Sequence, residues 1–204
     1  MRVLLTRHGQ TDWNIAGRYQ GQSDVPLNQA GQLQAEQIAQ RLSRETIHSI
    51  YTSDLSRASD TAQKIADMQK VVPVIQRDTR WRELSFGDWE GMTFKEMSAH
   101  SPDLFSQWMI DPKTISTPNG ETLVQLAERV KSAFDEIKNN HLDQTILVVA
   151  HSGSLQTLLA SILGVDLNRY WQFRISQASL SELNVIENSA SLHLLNETTH
   201  LQGK

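Results

Sequence analysis

The chain has 204 residues, 19 Lys and Arg against 23 Asp and Glu, a formal net charge of -4, and no cysteine. That length fits one domain, or one domain with an elaborated insertion. The missing cysteines exclude disulfides, thiolate metal sites and a thiol nucleophile, and the acidic balance lacks the basic excess of a nucleic-acid binder. No run of about 18 apolar residues predicts a membrane span. The segment after Met1 has neither the apolar stretch nor the small-residue cleavage site of a signal peptide. The expectation is therefore a cytoplasmic protein with no nucleic-acid or membrane partner.

Residues 2–6 read as a short buried strand. Asn28 to Arg41 reads as a helix, because Ala35, Ile38, Ala39 and Leu42 follow i, i+3, i+4, i+7 spacing. Ile47 to Thr52 fits a second strand. Ser53 and Asp54 are positioned to cap a helix running to about Met68, with Leu55, Ala58, Ala62, Ile65 and Ala66 inward. Val71 to Ile75 is brief and β-branched and predicts a third strand. Residues 79–118 break the alternation. They hold Trp81, Phe86, Trp89, Phe94, Phe105 and Trp108 among several prolines, and read as loop and short helix. We expect an insertion over the strand ends that supplies substrate contacts and a lid. Glu121 to Ile137 carries an amphipathic stripe of Leu123, Leu126, Ala127, Val130, Phe134 and Ile137. Strand 145–150 and helix 153–163, ended near Gly164, follow. Leu180 to Ile186 and Ser191 to Leu195 predict a closing hairpin across 187–190. The alternation argues a single domain over 1–204. Its expected fold is a three-layer α/β/α sandwich, a mostly parallel central sheet with helices on both faces.

Two histidines stand where apolar strands end. His8 follows Val3 to Arg7, and His151 follows Ile146 to Ala150. Open α/β sheets bind ligands outside the carboxyl ends of their strands, at a topological switch point. Two imidazoles from distant segments therefore point to one site, and Arg7 points to an anion there, a phosphate. A neutral imidazole is able to attack phosphorus and hold it covalently. The alternative for His8 is a hydrogen-bonded core histidine. Gly9 is expected to let backbone N–H groups approach the anion. Arg57, in the first turn of its helix, either meets the same anion with the helix N–H groups or is a solvated arginine. Glu83, in an aromatic-rich segment, is a candidate general acid kept protonated by desolvation. Its alternative is a loop carboxylate paired to Arg82. Asp88 and Glu90 read as solvated or structural. His151, as a cation, would stabilise phosphoryl oxygens. No G-x-S-x-G surrounds Ser152, so a serine hydrolase is not favoured. The other histidines, His48, His100, His141, His193 and His200, lack metal-ligand spacing, so no metal site is expected, and nucleotide-binding fingerprints are absent.

Taken in order, several segments resemble the histidine phosphatase superfamily, its phosphoglycerate mutase-like branch. They are Leu5-Thr6-Arg7-His8-Gly9-Gln10-Thr11-Asp12-Trp13-Asn14, Arg18-Tyr19-Gln20-Gly21, Thr52-Ser53-Asp54-Leu55-Ser56-Arg57-Ala58, Arg82-Glu83 with Gly87-Asp88-Trp89-Glu90-Gly91, Asn119-Gly120-Glu121-Thr122, and Val149-Ala150-His151-Ser152-Gly153. The resemblance implies that fold, His8 as the phosphorylated nucleophile, and a phosphate pocket of Arg7, Arg57 and His151. It also implies phosphate contacts from Asn14 and Gln20, backbone from Gly21, and Glu83 as proton donor, with no cofactor. Arg82 and Ser152 are further candidate substrate contacts. Leu84 to Gly91 is similar to the phosphatase branch rather than the mutases. Within that branch the pattern resembles alpha-ribazole phosphatases and metal-independent phosphoserine phosphatases, and the Arg82-Glu83 pair favours the first. The expected activity is hydrolysis of a small phosphomonoester such as alpha-ribazole 5'-phosphate. Phosphoserine or broad-specificity hydrolysis, phosphoglycerate mutase activity and a non-catalytic phosphate-binding regulator remain alternatives. The C-terminal stretch around His200 either reaches the pocket or finishes the sheet edge. Monomer and homodimer are both open.

Overall fold

The computed structural model describes residues 1–187 and 189–201. Strand β1 (Arg2–Arg7) leads through a short helix α1 (Asp12–Ile15) to α2 (Gln29–Leu42). Next come β2 (Ser49–Thr52), α3 (Ser56–Asp67) and β3 (Val74–Arg77). Two short helices, α4 (Phe94–His100) and α5 (Pro102–Ile110), precede α6 (Leu123–Asn140), β4 (Thr145–Ala150) and α7 (Ser152–Leu163). Strands β5 (Leu180–Ile186) and β6 (Ser189–Glu197) complete one six-stranded sheet. Of the expected hairpin turn, Asn188 lies outside the described residues.

The strand order is β3-β2-β4-β1-β5-β6. The first four pair in parallel, and β5 and β6 are antiparallel. The apolar runs of β1 and β4 are buried on both faces, as parallel strands between helix layers must be. On one face Val3, Leu5, Ile146 and Val148 meet Val130 and Phe134 of α6 and Leu155 and Leu158 of α7. On the other, Leu4, Leu147 and Val149 meet Ile38 and Leu42 of α2 and Ala62 and Ile65 of α3. Each side of one strand thus feeds a separate core. Going through α2 and α3 the chain steps outward from β1, and β4 then returns to lie between β2 and β1. That reversal sets the carboxyl ends of β1 and β4 side by side. No helix among the described residues is long and apolar enough to cross a membrane.

Three boundaries differ from expectation. The third strand begins at Val74, not Val71, because Pro73 supplies no N–H to the ladder; Val71 and Val72 stand exposed before it. Helix α3 begins after Leu55, which offers no side-chain cap. The cap comes from far away: the Asp24 carboxylate accepts from the Ser56 N–H at 2.8 Å and from its hydroxyl at 2.7 Å. Helix α6 runs three residues past Ile137, to Asn140.

Candidate active site

Parallel pairing sets the two histidines together. Arg7 stands opposite Ala150 in the β1–β4 register, and the His8 N–H extends the ladder to the Ala150 carbonyl at 3.0 Å. The next residue of each strand is a histidine, and their ring centroids lie 5.1 Å apart. Both rings are buried. His8 Nδ1 lies 2.6 Å from the Gly9 carbonyl oxygen. A carbonyl only accepts, so Nδ1 carries the proton and Nε2 keeps its lone pair. His151 has the opposite arrangement. Its Nδ1 accepts from Arg57 Nε at 3.2 Å, so its proton sits on Nε2, which has no partner among the described residues. One imidazole therefore carries a free lone pair on the cavity, and the other an unpartnered N–H buried just behind the residues that line it.

Loss of solvation, with Arg57 and Arg7 close by, pushes both histidines well below the ordinary imidazole range. His151 is thus a neutral donor in the unliganded site, not the cation the sequence suggested. Removal from water pushes Arg57 down to about 10 and lowers Arg7 too, while the charge of Glu83 offsets part of each shift. Both guanidiniums remain cations at neutral pH.

Arg57 is fully buried and held on three sides. Besides His151, it donates to the carbonyls of Ser23 and Gly21, each at 2.8 Å. The 20–23 loop that offers those carbonyls is organised by Glu90. Its carboxylate accepts from the Gln22 and Ser23 N–H groups, both at 2.8 Å, and from the Ser23 hydroxyl. Gly21 sits at φ +52, and a Cβ there would meet Glu90 Oε1 at 2.1 Å. A left-handed backbone and a carboxylate in that space leave glycine as the fitting residue. Glu90 is structural, as read from the sequence. Arg7 donates to the Ile175 carbonyl at 3.0 Å, which ties the end of β1 to the segment before β5.

Glu83 reaches the N-terminus of α7. Its carboxylate accepts from the N–H groups of Gly153 at 3.0 Å, Ser154 at 3.2 Å and Leu84 at 2.9 Å. A helix N-terminus favours an anion there through its unpaired N–H groups and dipole. The sequence placed Glu83 in an aromatic setting or against Arg82; Phe86, Tyr19 and Tyr170 line the same cavity, and the pairing with Arg82 does not form. Arg82 instead grips the Asp54 carboxylate, donating from Nε at 2.7 Å. It lines no part of the cavity, which corrects its reading as a substrate contact. Gly9 is a second correction. A Cβ there would lie 2.4 Å from the Gly31 carbonyl, so this glycine allows α2 to pack close rather than opening a path to an anion.

The remaining candidates gather on a cavity of about 400 Å³ that His8, Arg7, Arg57 and Glu83 line. Asn14, Gln20, Gly21 and Ser152 face it as well. Asn14 Oδ1 accepts from the Thr11 N–H at 3.1 Å, which leaves its amide N–H groups for a ligand. The buried Gln20 Oε1 has no partner among the described residues. From 84–118 only Leu84 and Phe86 line the cavity. Trp81, Trp89 and Trp108 are core instead, and Phe94 packs edge-on against Phe105. The outer wall comes from residues the sequence reading did not single out, among them Gln156, Tyr170 and Gln177. Tyr170 and Gln177 lie in a 3-10 turn (Leu167–Gln172) and the loop after it, segments with no periodic pattern to read. The C-terminal stretch acts one step removed. Asn196 Oδ1 accepts from the Ser176 N–H at 2.7 Å, and His200 Nε2 donates to the Ala178 carbonyl at 2.8 Å, so it braces the loop that carries Gln177.

Comparison with known proteins shows the family. The family model of the histidine phosphatase superfamily (branch 1) matches residues 3–198. Phosphoserine phosphatase 1 of Hydrogenobacter thermophilus is 37% identical over 201 residues, covering 98% of this chain and 94% of its own. The adenosylcobalamin/alpha-ribazole phosphatase of Escherichia coli is 32% identical over 197 residues, covering 96% of each. The solved structure of Bacillus stearothermophilus YhfR superposes with a TM-score of 0.90 at 30% identity, covering 98% of this chain and 99% of that one. With the matched model spanning nearly the whole chain, the protein belongs to branch 1 of the histidine phosphatase superfamily and is a phosphatase of that family.

Proposed function

We propose that the chain hydrolyses a small phosphomonoester through a phosphohistidine at His8, with no metal ion taking part. The observation that carries this reading is the Nδ1–H of His8 held on the Gly9 carbonyl, which leaves the Nε2 lone pair on a cavity flanked by two guanidiniums. The phosphate rests between Arg7, Arg57 and the Nε2–H of His151. His8 Nε2 attacks phosphorus, the P–O bond to the alcohol breaks, and the leaving oxygen takes the proton that the Glu83 carboxylate has accepted from the docked monoanionic ester. The imidazolium formed is steadied by its Nδ1–H on Gly9. Water then attacks the phosphohistidine and gives its proton to the Glu83 carboxylate. The P–N bond breaks, its electron pair returns to Nε2, and inorganic phosphate leaves. Two fixed cations and a neutral donor supply the charge stabilisation that metal ions supply in other phosphoryl transfers.

For the alcohol, the Escherichia coli relative suggests alpha-ribazole 5'-phosphate, and the Hydrogenobacter relative suggests phosphoserine. The test is phosphate release in EDTA from these two esters, 3-phosphoglycerate and nitrophenyl phosphate, with His8→Ala in parallel and phosphohistidine trapped by acid quench. We expect release and a trapped phosphoenzyme in the wild type, and neither above background in His8→Ala. Transfer of phosphate to another position of phosphoglycerate instead of to water would make the chain a mutase. Phosphate binding without a trapped intermediate would make it a regulator.

A further inference from the structure

The loop that precedes β5 is held from two sides. Its Ala178 sits at φ +49, a left-handed conformation in which alanine, unlike glycine, is strained. On one side the Ala178 N–H donates to the carbonyls of Arg7 at 3.0 Å and His8 at 3.3 Å, and Arg7 donates in turn to the Ile175 carbonyl. The backbone that carries the nucleophile is therefore tied to this loop. On the other side the loop is fastened by the end of β6 and the turn after it. Asn196, at φ +55 where the β5–β6 register shifts, accepts from the Ser176 N–H, and His200 Nε2 donates to the Ala178 carbonyl at 2.8 Å. His200 does not line the cavity.

The second nitrogen of His200 decides what this clamp requires. Nδ1 lies 3.2 Å from Glu197 Oε2. Burial pushes the Glu197 carboxyl up, but its bonds from Thr199 and His200 leave it below the ordinary value, so it is ionised. A carboxylate and a carbonyl only accept, so both bonds exist together only when the ring carries both protons. A neutral ring has a single N–H and releases either Glu197 or Ala178. The ring is nearly enclosed, with 6% of its side chain exposed. The charged groups about it are Glu197 and, from α2, Arg41, whose Nε lies 3.7 Å from the same carboxylate. Residues 176–179 bring it no charge.

We propose that His200 is a positioning residue for phosphoryl transfer: its doubly protonated ring, held between Glu197 and the Ala178 carbonyl, locks the 175–178 loop against the backbone of Arg7 and His8. The inference rests on the phosphatase reading above and adds to it a control of the nucleophile from outside the cavity. Once Ala178 is released, its left-handed backbone relaxes, and the carbonyls of Arg7 and His8 lose the donor that fixes them.

The test pairs NMR of the His200 ring with rapid acid quench of phosphohistidine formed from nitrophenyl phosphate, over one pH series. In the wild type the ring nitrogens should report two protons where the enzyme is active. The rate of phosphohistidine formation should fall about tenfold across the interval in which His200 loses one of them, with KM little changed. His200→Phe keeps a planar ring without donors. It should run at the lower rate with no such step, and amide exchange at Ala178 should quicken. Glu197→Gln keeps an acceptor and removes the charge, so the His200 titration and the rate step should move together to lower pH; it carries the comparison if His200→Phe does not fold. Wild-type rates in His200→Phe, a loss confined to KM or to thermal stability, a step that stays while the titration moves, or a singly protonated ring in the active enzyme would each overturn the positioning role and leave the phosphatase reading intact. Absence of a phosphohistidine from the wild type with every ester would overturn both.

Discussion

Glu83 shows how closely one carboxylate is placed. Its Oε1 sits where a Cβ on Gly153 would come within 2.4 Å, so the glycine after Ser152 makes the room. Three N–H donors fix its two oxygens while leaving lone pairs toward the cavity. Glu83→Gln keeps the shape and removes the transferable proton. The rate of phosphohistidine formation from an alkyl ester should fall by about 100-fold or more, the usual scale of general acid catalysis. Formation from nitrophenyl phosphate, whose leaving group needs little protonation, should change little. Rapid acid quench measures both, and an equal loss with the two esters would remove Glu83 as the acid. His8 and His151 were legible in the sequence because each terminates an apolar run that only a buried strand explains. Arg82 was misread for a physical reason: beside Glu83 it looks like its partner, but its own partner is Asp54, 28 residues earlier. Nothing local encodes that pairing.

At the level of elements, α6 does more than cover the sheet. Arg129, on its polar side, donates from Nε and Nη2 to both oxygens of Glu121, each at 2.8 Å. The same guanidinium donates to the carbonyls of Arg80 at 2.8 Å, Arg82 at 2.6 Å and Glu83 at 2.7 Å. A non-helical segment has few bonds of its own to fix it, and here one planar fork fixes it from outside. Lysine keeps the charge but loses the fork. Arg129→Lys should cost about 1–3 kcal/mol of stability, the cost of orphaning buried acceptors. It should also slow phosphohistidine formation from alkyl esters about tenfold, with nitrophenyl phosphate spared. A parallel loss on both substrates would reduce Arg129 to a purely structural role. The stripe of α6 was readable from spacing alone, since a period of 3.6 reports which face is buried. Its polar face carries no such signal, because what a surface arginine meets depends on where distant backbone comes to lie. The same limit hid Tyr170 and the long-range cap that Asp24 gives α3.

Across the whole molecule, burying two neutral imidazoles beside two guanidiniums makes stability depend on pH. In the unfolded chain each histidine titrates near 6.5; in the folded one both lie well below that. As pH falls below about 6.5 the unfolded state takes up protons that the folded state refuses, so stability is intact above that point and lost beneath it. The slope should approach roughly 1.4 kcal/mol per pH unit for each of the two protons. Urea titrations from pH 7.5 to 5 should show it, and His151→Gln should flatten it by about one proton. A stability that is level across that range would mean the rings are protonated in place. The doubly covered sheet and the alternation of elements were evident from the sequence. The antiparallel pairing of β5 with β1 was not, because a hairpin pattern does not say which strand it joins.

The order β2-β4-β1 has one more consequence. Arg2 pairs with Thr145, so the contact that unites the two histidines closes a loop of most of the chain, the slow kind of contact in folding. During synthesis, with β4 still inside the ribosome, the nascent chain holds the His8 nucleophile but lacks the strand that brings His151 beside it. No shorter intermediate assembles both halves. The chemistry therefore waits on topology itself, because the two histidines meet only once β4 lies between β2 and β1.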